Sequence, residues 1–231
     1  MDAVSVLPAP EEKAAVVEAM FDRVAPSYER LNHLISGGQD RRWRHRLVRD
    51  LALAPGSRVL DLACGTGDLC RDLADLGGHR PVGVDFSAGM LEHAHTDAPL
   101  VRGDALRLPV PDAAADGVTC GFALRNFTSL PEFFAECARV LRPGGRFAFL
   151  DPARPRFAPF RVGNDLWFHR IVPRIGAALG DAEAYRYLPA STAYLPEPDE
   201  MLAMLRRAGF TDLARRTMML GAVQLITGSR A

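Results

Sequence analysis

From residue 55 onward, apolar positions fall in short runs, each followed by a stretch of helical spacing. Residues 58–63 (RVLDLA) form the first run, which ends in Cys64-Gly65-Thr66-Gly67. Further runs cover residues 81–85, 100–102, 117–122 and 146–150. Runs this short and apolar read as strands buried on both faces. Residues 68–76, 87–94 and 130–141 read as helices, and Pro143-Gly144-Gly145 reads as a turn. Buried strands alternating with helices predict a parallel α/β sheet with crossover helices. A helix over 199–208 and two runs, 212–219 and 223–227, joined at Leu220-Gly221, end the sequence. A tight hairpin cannot join parallel neighbours, so at least one of these last strands is antiparallel.

Ahead of residue 55 the spacing is helical. Residues 13–24 form one helix, Pro26 opens a new turn, and residues 27–52 form one or two helices interrupted by Ser36-Gly37-Gly38. Residues 152–195 break the rhythm and are rich in Pro, Arg and aromatics. The expected organisation is one domain: a helical lid over 1–54, a core over 55–151, a lid insertion over 152–195, and a closing helix and hairpin over 196–231. In the insertion, positions 167, 168, 171, 172 and 175 share one helical face. Packing on the core explains that stripe, as does a greasy channel opening near a membrane surface.

Composition narrows the classes. Lys+Arg and Asp+Glu number 28 each, so no global basic surface points to nucleic acid. Hydrophobic residues at 48% and charged ones at 24% fit a soluble globular protein rather than a disordered one. There is no long apolar span and no basic segment preceding an apolar block, so neither a membrane helix nor a signal peptide is expected. Cys64, Cys70, Cys120 and Cys137 form no CxxC pair, which argues against a disulfide scaffold or a zinc site and makes a reducing cytoplasm the expected compartment. Lys13 is the only lysine, a bias that a GC-rich coding sequence explains. Neutrality also hides local sums: residues 40–50 and 151–175 each carry five arginines against two aspartates, or +3. A basic, greasy lid of this kind would suit an anionic membrane surface.

The segment Val59 to Asp68 carries the strongest chemical signal. A strand ends, two glycines turn the chain, and a helix begins, so that the backbone can approach a ligand where a Cβ would block it. A dinucleotide site would favour a third glycine or alanine where Cys70 stands. Asp61 at the strand end and Asp68 at the helix start put negative charge beside the loop. That suits a ligand with a cationic head, such as S-adenosylmethionine with its sulfonium and α-ammonium. Asp85 ends the second strand, where a carboxylate accepts both ribose hydroxyls. Asp104, after the third strand, can accept from an adenine amino group. Taken singly, a Gly-x-Gly is a turn and a strand-terminal Asp is a helix cap; in this order on these elements they define a methyltransferase-type nucleotide site.

Longer motifs extend the pattern. The segment Phe21-Asp22-Arg23-Val24-Ala25-Pro26-Ser27-Tyr28-Glu29 is continued by Asn32, Ser36, Gly37, Gly38, Trp43 and Arg44. With Asp85-Phe86-Ser87-Ala88-Gly89-Met90-Leu91, Gly121-Phe122-Ala123-Leu124-Arg125-Asn126, His169, Pro173 to Gly176 and Tyr185-Arg186-Tyr187-Leu188, it resembles the quinone-biosynthesis C-methyltransferases. That family comprises the demethylmenaquinone and polyprenyl-benzoquinol methyltransferases. The resemblance covers roughly residues 14–229 and implies a Rossmann-like sheet. It also implies methyl transfer from S-adenosylmethionine to a ring carbon of a reduced, prenylated quinone and so a lipophilic partner; the basic, greasy lid adds the expectation of peripheral contact with the inner face of the membrane.

By residue matching, Thr66, Asp85, Asp104, Ala105 and Gly121 contact the cofactor, with Gly65, Gly67, Asp61, Phe86 and Ser87 around it and Tyr28 closing over it. Two positions depart from the family pattern. Gly121 stands where serine is common, which removes a hydroxyl. Asp151-Pro152-Ala153-Arg154-Pro155 stands where E-F-S-K-P is common, which puts the acceptor in question. Methylating a quinol carbon calls for a base, or for a cation that stabilises the phenolate. Arg125, Asn126, His169 and Asp151 are the candidates, and Phe122, Trp167, Tyr185 and Tyr187 are candidate walls of the acceptor pocket. His93 and His95 face apart on a helix and read as surface. No Asp/Glu cluster suggests a catalytic magnesium, so no metal is expected. Another aromatic acceptor, or a non-catalytic cofactor-binding protein, remains open at this stage, as does a homodimer.

Overall fold

The computed structural model describes residues 7–9, 11–155, 160, 163, 166, 187 and 190–231. Seven strands among these residues form one sheet: β1 (Arg58–Leu62), β2 (Arg80–Asp85), β3 (Leu100–Arg102), β4 (Ala115–Gly121), β5 (Leu141–Pro152), β6 (Phe210–Met218) and β7 (Val223–Arg230). Their order is β3-β2-β1-β4-β5-β7-β6. β1 through β5 are mutually parallel, while β7 runs antiparallel to both β5 and β6. The closing hairpin therefore contributes one antiparallel strand, β7, in agreement with the turn argument.

The helices are α1 (Lys13–Val24), α2 (Tyr28–Ser36), α3 (Asp40–Leu51), α4 (Asp68–Gly77), α5 (Ala88–Glu92), α6 (Leu130–Val140) and α7 (Pro198–Arg207). Three of them have a start or stop legible in the sequence. Gly37, at φ 58°, ends α2 in the left-handed region. Ser87 caps α5 by accepting from Met90 N–H, and Ser129 caps α6 by accepting from Glu132 N–H.

Differences from the sequence reading concern termini: β4 and β6 start two residues earlier than expected and β7 runs three residues further. α5 stops at Glu92, short of residue 94, because His93 already leaves helical geometry. β5 begins at Leu141, which pairs with Ala115 before Pro143-Gly144-Gly145 loops out; pairing resumes at Arg146 against Gly117. The expected turn is thus an excursion within a strand rather than a junction ahead of one.

Apolar layers cover both faces of the sheet. On one side Phe133, Phe134, Phe147, Phe149 and Phe210 interlock, with Phe147 and Phe149 at 4.6 Å and Phe147 and Phe210 at 4.7 Å between ring centroids. On the other, α3 and α4 pack Trp43, Leu47, Leu51, Leu69 and Leu73 against β5 and β7. A third cluster, Met20, Val24, Ala25, Met90 and Tyr187, lies beneath α1. From β1 the chain steps outward to β2 and β3, then returns to place β4 on β1's other side. This reversal opens a crevice at the carboxyl ends of β1 and β4, the general ligand position of open α/β sheets.

Candidate active site

A cavity of about 140 Å³ occupies that crevice. The loops after β1, β2, β3 and β4 form its floor and walls, and α1 forms its roof through Ala14, Val17, Glu18 and Phe21. Its lining includes Gly65, Asp85, Phe86, Ser87, Asp104, Ala105 and Gly121, all expected from sequence, together with Tyr28 and the acceptor candidates Phe122 and Asn126.

Asp85 organises the cofactor side. One carboxylate oxygen accepts Gly65 N–H at 2.7 Å, and the other accepts Ser87 N–H at 2.9 Å. The glycine loop after β1 is thereby pinned to the end of β2, with lone pairs left over for a ligand. Burial raises the Asp85 carboxyl above its ordinary range despite these bonds. Gly65 sits at φ 56°, with Tyr28 stacked above it: a Cβ there would lie 3.7 Å from the Tyr28 ring. Asp104 is exposed at the rim, and its Oδ1 accepts Leu106 N–H at 2.9 Å.

Asp61, Thr66 and Gly67 lie behind the lining rather than in it. Asp61 is buried, accepts the Thr119 hydroxyl at 2.8 Å and the Cys70 thiol at 3.5 Å, and burial pushes its pKa up to about 7. Its charge therefore depends on pH near neutrality. Asp68 pairs with Arg44 at 3.2 Å and with Arg71, which compensates the charge the sequence set at the helix start. Arg44 also bridges Asp40 at 2.8 Å and Asp72 at 2.7 Å, joining α3 to α4.

On the acceptor side, Arg125 and Asp151 form a buried ion pair at 3.1 Å. The Arg125 guanidinium also donates to the Phe122 carbonyl and, at 3.2 Å, to the Ser191 hydroxyl. Asp151 takes Leu124 N–H at 2.7 Å on its other oxygen. Desolvation raises Asp151's pKa to about 6, with Arg125 opposing. Neither residue lines the cavity; together they fix the segment 122–126 from behind. Asn126 does line it, and its Oδ1 accepts the buried Tyr187 hydroxyl at 3.2 Å. Committing that oxygen leaves the amide N–H₂ as the group Asn126 can offer a ligand. His169, Trp167 and Tyr185 lie outside the described residues.

Several features of the site carried no sequence signal, although some of the residues did. Ala63 and Phe122, the non-glycine residues after β1 and β4, both hold positive φ, 54° and 61°, at the crevice. Such backbone costs of order 1–3 kcal/mol and persists where surrounding structure over-determines it. Asp22 accepts both the Ser87 hydroxyl at 2.5 Å and Gly89 N–H at 2.9 Å, docking α1 onto α5. The sequence motif contained Asp22, but its partner lies far along the chain.

A mostly parallel sheet with a β7-type insertion, a glycine loop after β1 and an acid ending β2 define a Rossmann-like methyltransferase fold. Phosphoethanolamine N-methyltransferase 2 of Haemonchus contortus, solved with phosphomonomethylethanolamine and S-adenosylhomocysteine, shares it. That match has a TM-score of 0.67 at 15% identity and covers 92% of this chain and 59% of that longer one. Sequence similarity is more specific. The model of the ubiE/COQ5 methyltransferase family matches residues 9–230, and the chain belongs to that family. A demethylmenaquinone methyltransferase of Roseiflexus castenholzii is 43% identical over 97% of both chains. A ubiquinone/menaquinone biosynthesis C-methyltransferase of Geobacter sulfurreducens is 35% identical over 95% of this chain and 90% of its own.

Proposed function

We propose that the protein transfers a methyl group from S-adenosylmethionine to a ring carbon of a reduced, prenylated quinone, converting demethylmenaquinol to menaquinol. The observation that carries this reading is the full-length similarity to demethylmenaquinone methyltransferases in a chain whose cavity joins an Asp85-pinned glycine loop to the Asn126 amide. The lining fits the cofactor: Gly65 and Gly121 allow close backbone approach, Asp85 offers acceptors for ribose hydroxyls, and Asp104 offers one for an adenine amino group. Bound there, S-adenosylmethionine supplies an electrophilic methyl group.

The chain's own residues then hold the acceptor and exclude water. Phe122 and Phe127 give the ring apolar walls. Asn126, its oxygen engaged by Tyr187, donates from its amide nitrogen to the quinol oxygen and stabilises the phenolate that makes the ring carbon nucleophilic. Arg125 and Asp151 act through position, since both are buried against segment 122–126. His169 is the candidate base, histidine being the side chain whose ordinary pKa lies closest to neutrality. Alignment of carbon, methyl and sulfur is worth on the order of 7–11 kcal/mol, which gives the rigid backing of Asn126 its purpose.

The prenylated acceptor places the work at the inner face of the cytoplasmic membrane, with the protein attached peripherally. Among the described residues no helix is long and apolar enough to cross a membrane. The exposed Arg41, Arg42 and Arg49 of the first basic segment, with the arginines of 151–175, supply the cationic contact. Turnover with chemically reduced demethylmenaquinol and a panel of other aromatic acceptors tests the assignment. Methylated naphthoquinol as the preferred product supports it. Preference for another aromatic overturns the acceptor, and binding without turnover on every acceptor overturns the enzyme.

A further inference from the structure

The roof helix α1 is fastened over the cavity at three points. Asp22 docks on Ser87 and Gly89, and Glu18 pairs with Arg102 at 3.0 Å. The third fastening is Lys13, the first residue of α1 and 6% exposed. Its Nζ donates to the Phe127 carbonyl at 2.6 Å and sits 3.8 Å from the centroid of the Tyr194 ring. The Tyr194 hydroxyl in turn donates to the Pro8 carbonyl at 3.2 Å.

This arrangement is locally unfavourable. A cation in the first turn opposes the helix dipole, and α1 carries no acid there to offset it. Among the described residues no carboxylate pairs with the ammonium, and burial lowers its pKa to about 8. The other 27 cations of the chain are arginines. At this 6% exposed site one compact ammonium meets a carbonyl oxygen and a ring face together, where an arginine would bring a larger planar fork. Coding bias explains the arginines; it does not explain the exception. Phe127 and its neighbour Asn126 line the cavity, as does Ala14, the residue after Lys13.

We propose that Lys13 is a positioning residue for methyl transfer: its ammonium bolts the roof helix to the segment carrying Asn126 and so sets the cofactor side of the cavity in register with the acceptor side. The inference rests on the cofactor reading of this cavity. It is tested by calorimetry with S-adenosylhomocysteine and by steady-state turnover of wild type, Lys13→Met, Lys13→Arg, and Lys13→Cys before and after aminoethylation. Lys13→Met should lose tenfold or more in kcat even at saturating cofactor, Lys13→Arg should not restore it, and aminoethylated Lys13→Cys should return to within threefold of wild type. A further measurement needs no variant. The α-amino group of the protein preparation serves as internal reference for acylation, since Lys13 is the one lysine of this sequence. Saturating S-adenosylhomocysteine should slow Lys13 acylation at least tenfold relative to that reference. If wild type fails to bind S-adenosylhomocysteine, the cavity reading falls and this inference with it. If wild type binds but Lys13→Met retains kcat within twofold, or Lys13 acylation ignores the ligand, the inference alone is overturned.

Discussion

Replacing Asp85 with asparagine probes the cofactor site at its most constrained point. Both carboxylate oxygens already accept backbone N–H groups, from Gly65 at 2.7 Å and Ser87 at 2.9 Å. Asparagine keeps the shape but has one acceptor oxygen, so its N–H₂ must face one of those N–H groups. The variant therefore loses a charge-assisted acceptor for the ribose and loosens either the glycine loop or the cap of α5. A hydrogen bond to a charged group contributes about 1.5–3 kcal/mol, or roughly 10- to 150-fold in Kd. Calorimetry with S-adenosylhomocysteine and its 2′-deoxy and 3′-deoxy analogues separates the two losses. Wild type should discriminate against the deoxy analogues by about 10-fold or more, whereas Asp85→Asn should bind all three with similar, weak affinity. If Asp85→Asn discriminates as strongly as wild type, the ribose does not lie on Asp85.

Other predictions follow from the same geometry. Arg125→Met leaves the Asp151 carboxylate buried and unpaired, so it should cost about 3–5 kcal/mol in chemical denaturation, and Arg125→Met with Asp151→Leu should recover much of it; a neutral single variant contradicts the role given to the pair. Asp61 is raised to about 7 by burial, so the native state holds its proton more tightly than the unfolded chain. Its contribution to stability is greatest below about pH 4 and declines as pH climbs to about 7. The Tm difference between pH 5 and pH 8 should consequently shrink in Asp61→Asn, and an unchanged difference would show that burial does not shift this group. Gly89→Ala would bring a Cβ to 2.9 Å from the Asp22 Cα, so the roof must move: a cost of about 1–3 kcal/mol and weaker S-adenosylhomocysteine binding are expected, and unchanged values for both would mean the α1–α5 contact has slack. Neutralising Arg154, Arg156 and Arg161 should reduce partition onto anionic vesicles, and unchanged partition counts against a basic membrane face.

How legible the site was depended on how local each cause is. The strand–glycine–helix passage at residues 59–68 and the acid ending β2 are set by neighbours in sequence, and the structure has them on the expected elements. The excursion at Pro143-Gly144-Gly145 read as a plain turn because the pairing of Leu141 with Ala115, which makes it part of β5, is a contact between distant residues. The same limit hid the burial of Arg125 and Asp151. Sequence placed both near the strand ends, but only their mutual pairing decides that they back Asn126 instead of facing the cavity. α1 was readable as a helix, and its role as roof was not, because Asp22, Glu18 and Lys13 take their partners 65, 84 and 114 residues away. The left-handed backbone at Ala63 and Phe122 has no sequence mark, since neither residue favours that region.

The central claim is that methyl donor and quinol meet in the cavity beneath α1. A structure of the protein with S-adenosylhomocysteine and a demethylmenaquinol analogue tests it most directly. The account predicts ribose hydroxyls on the Asp85 carboxylate and the acceptor oxygen within hydrogen-bond distance of the Asn126 amide nitrogen. Either ligand bound elsewhere, or an acceptor ring turned away from Asn126, would contradict it.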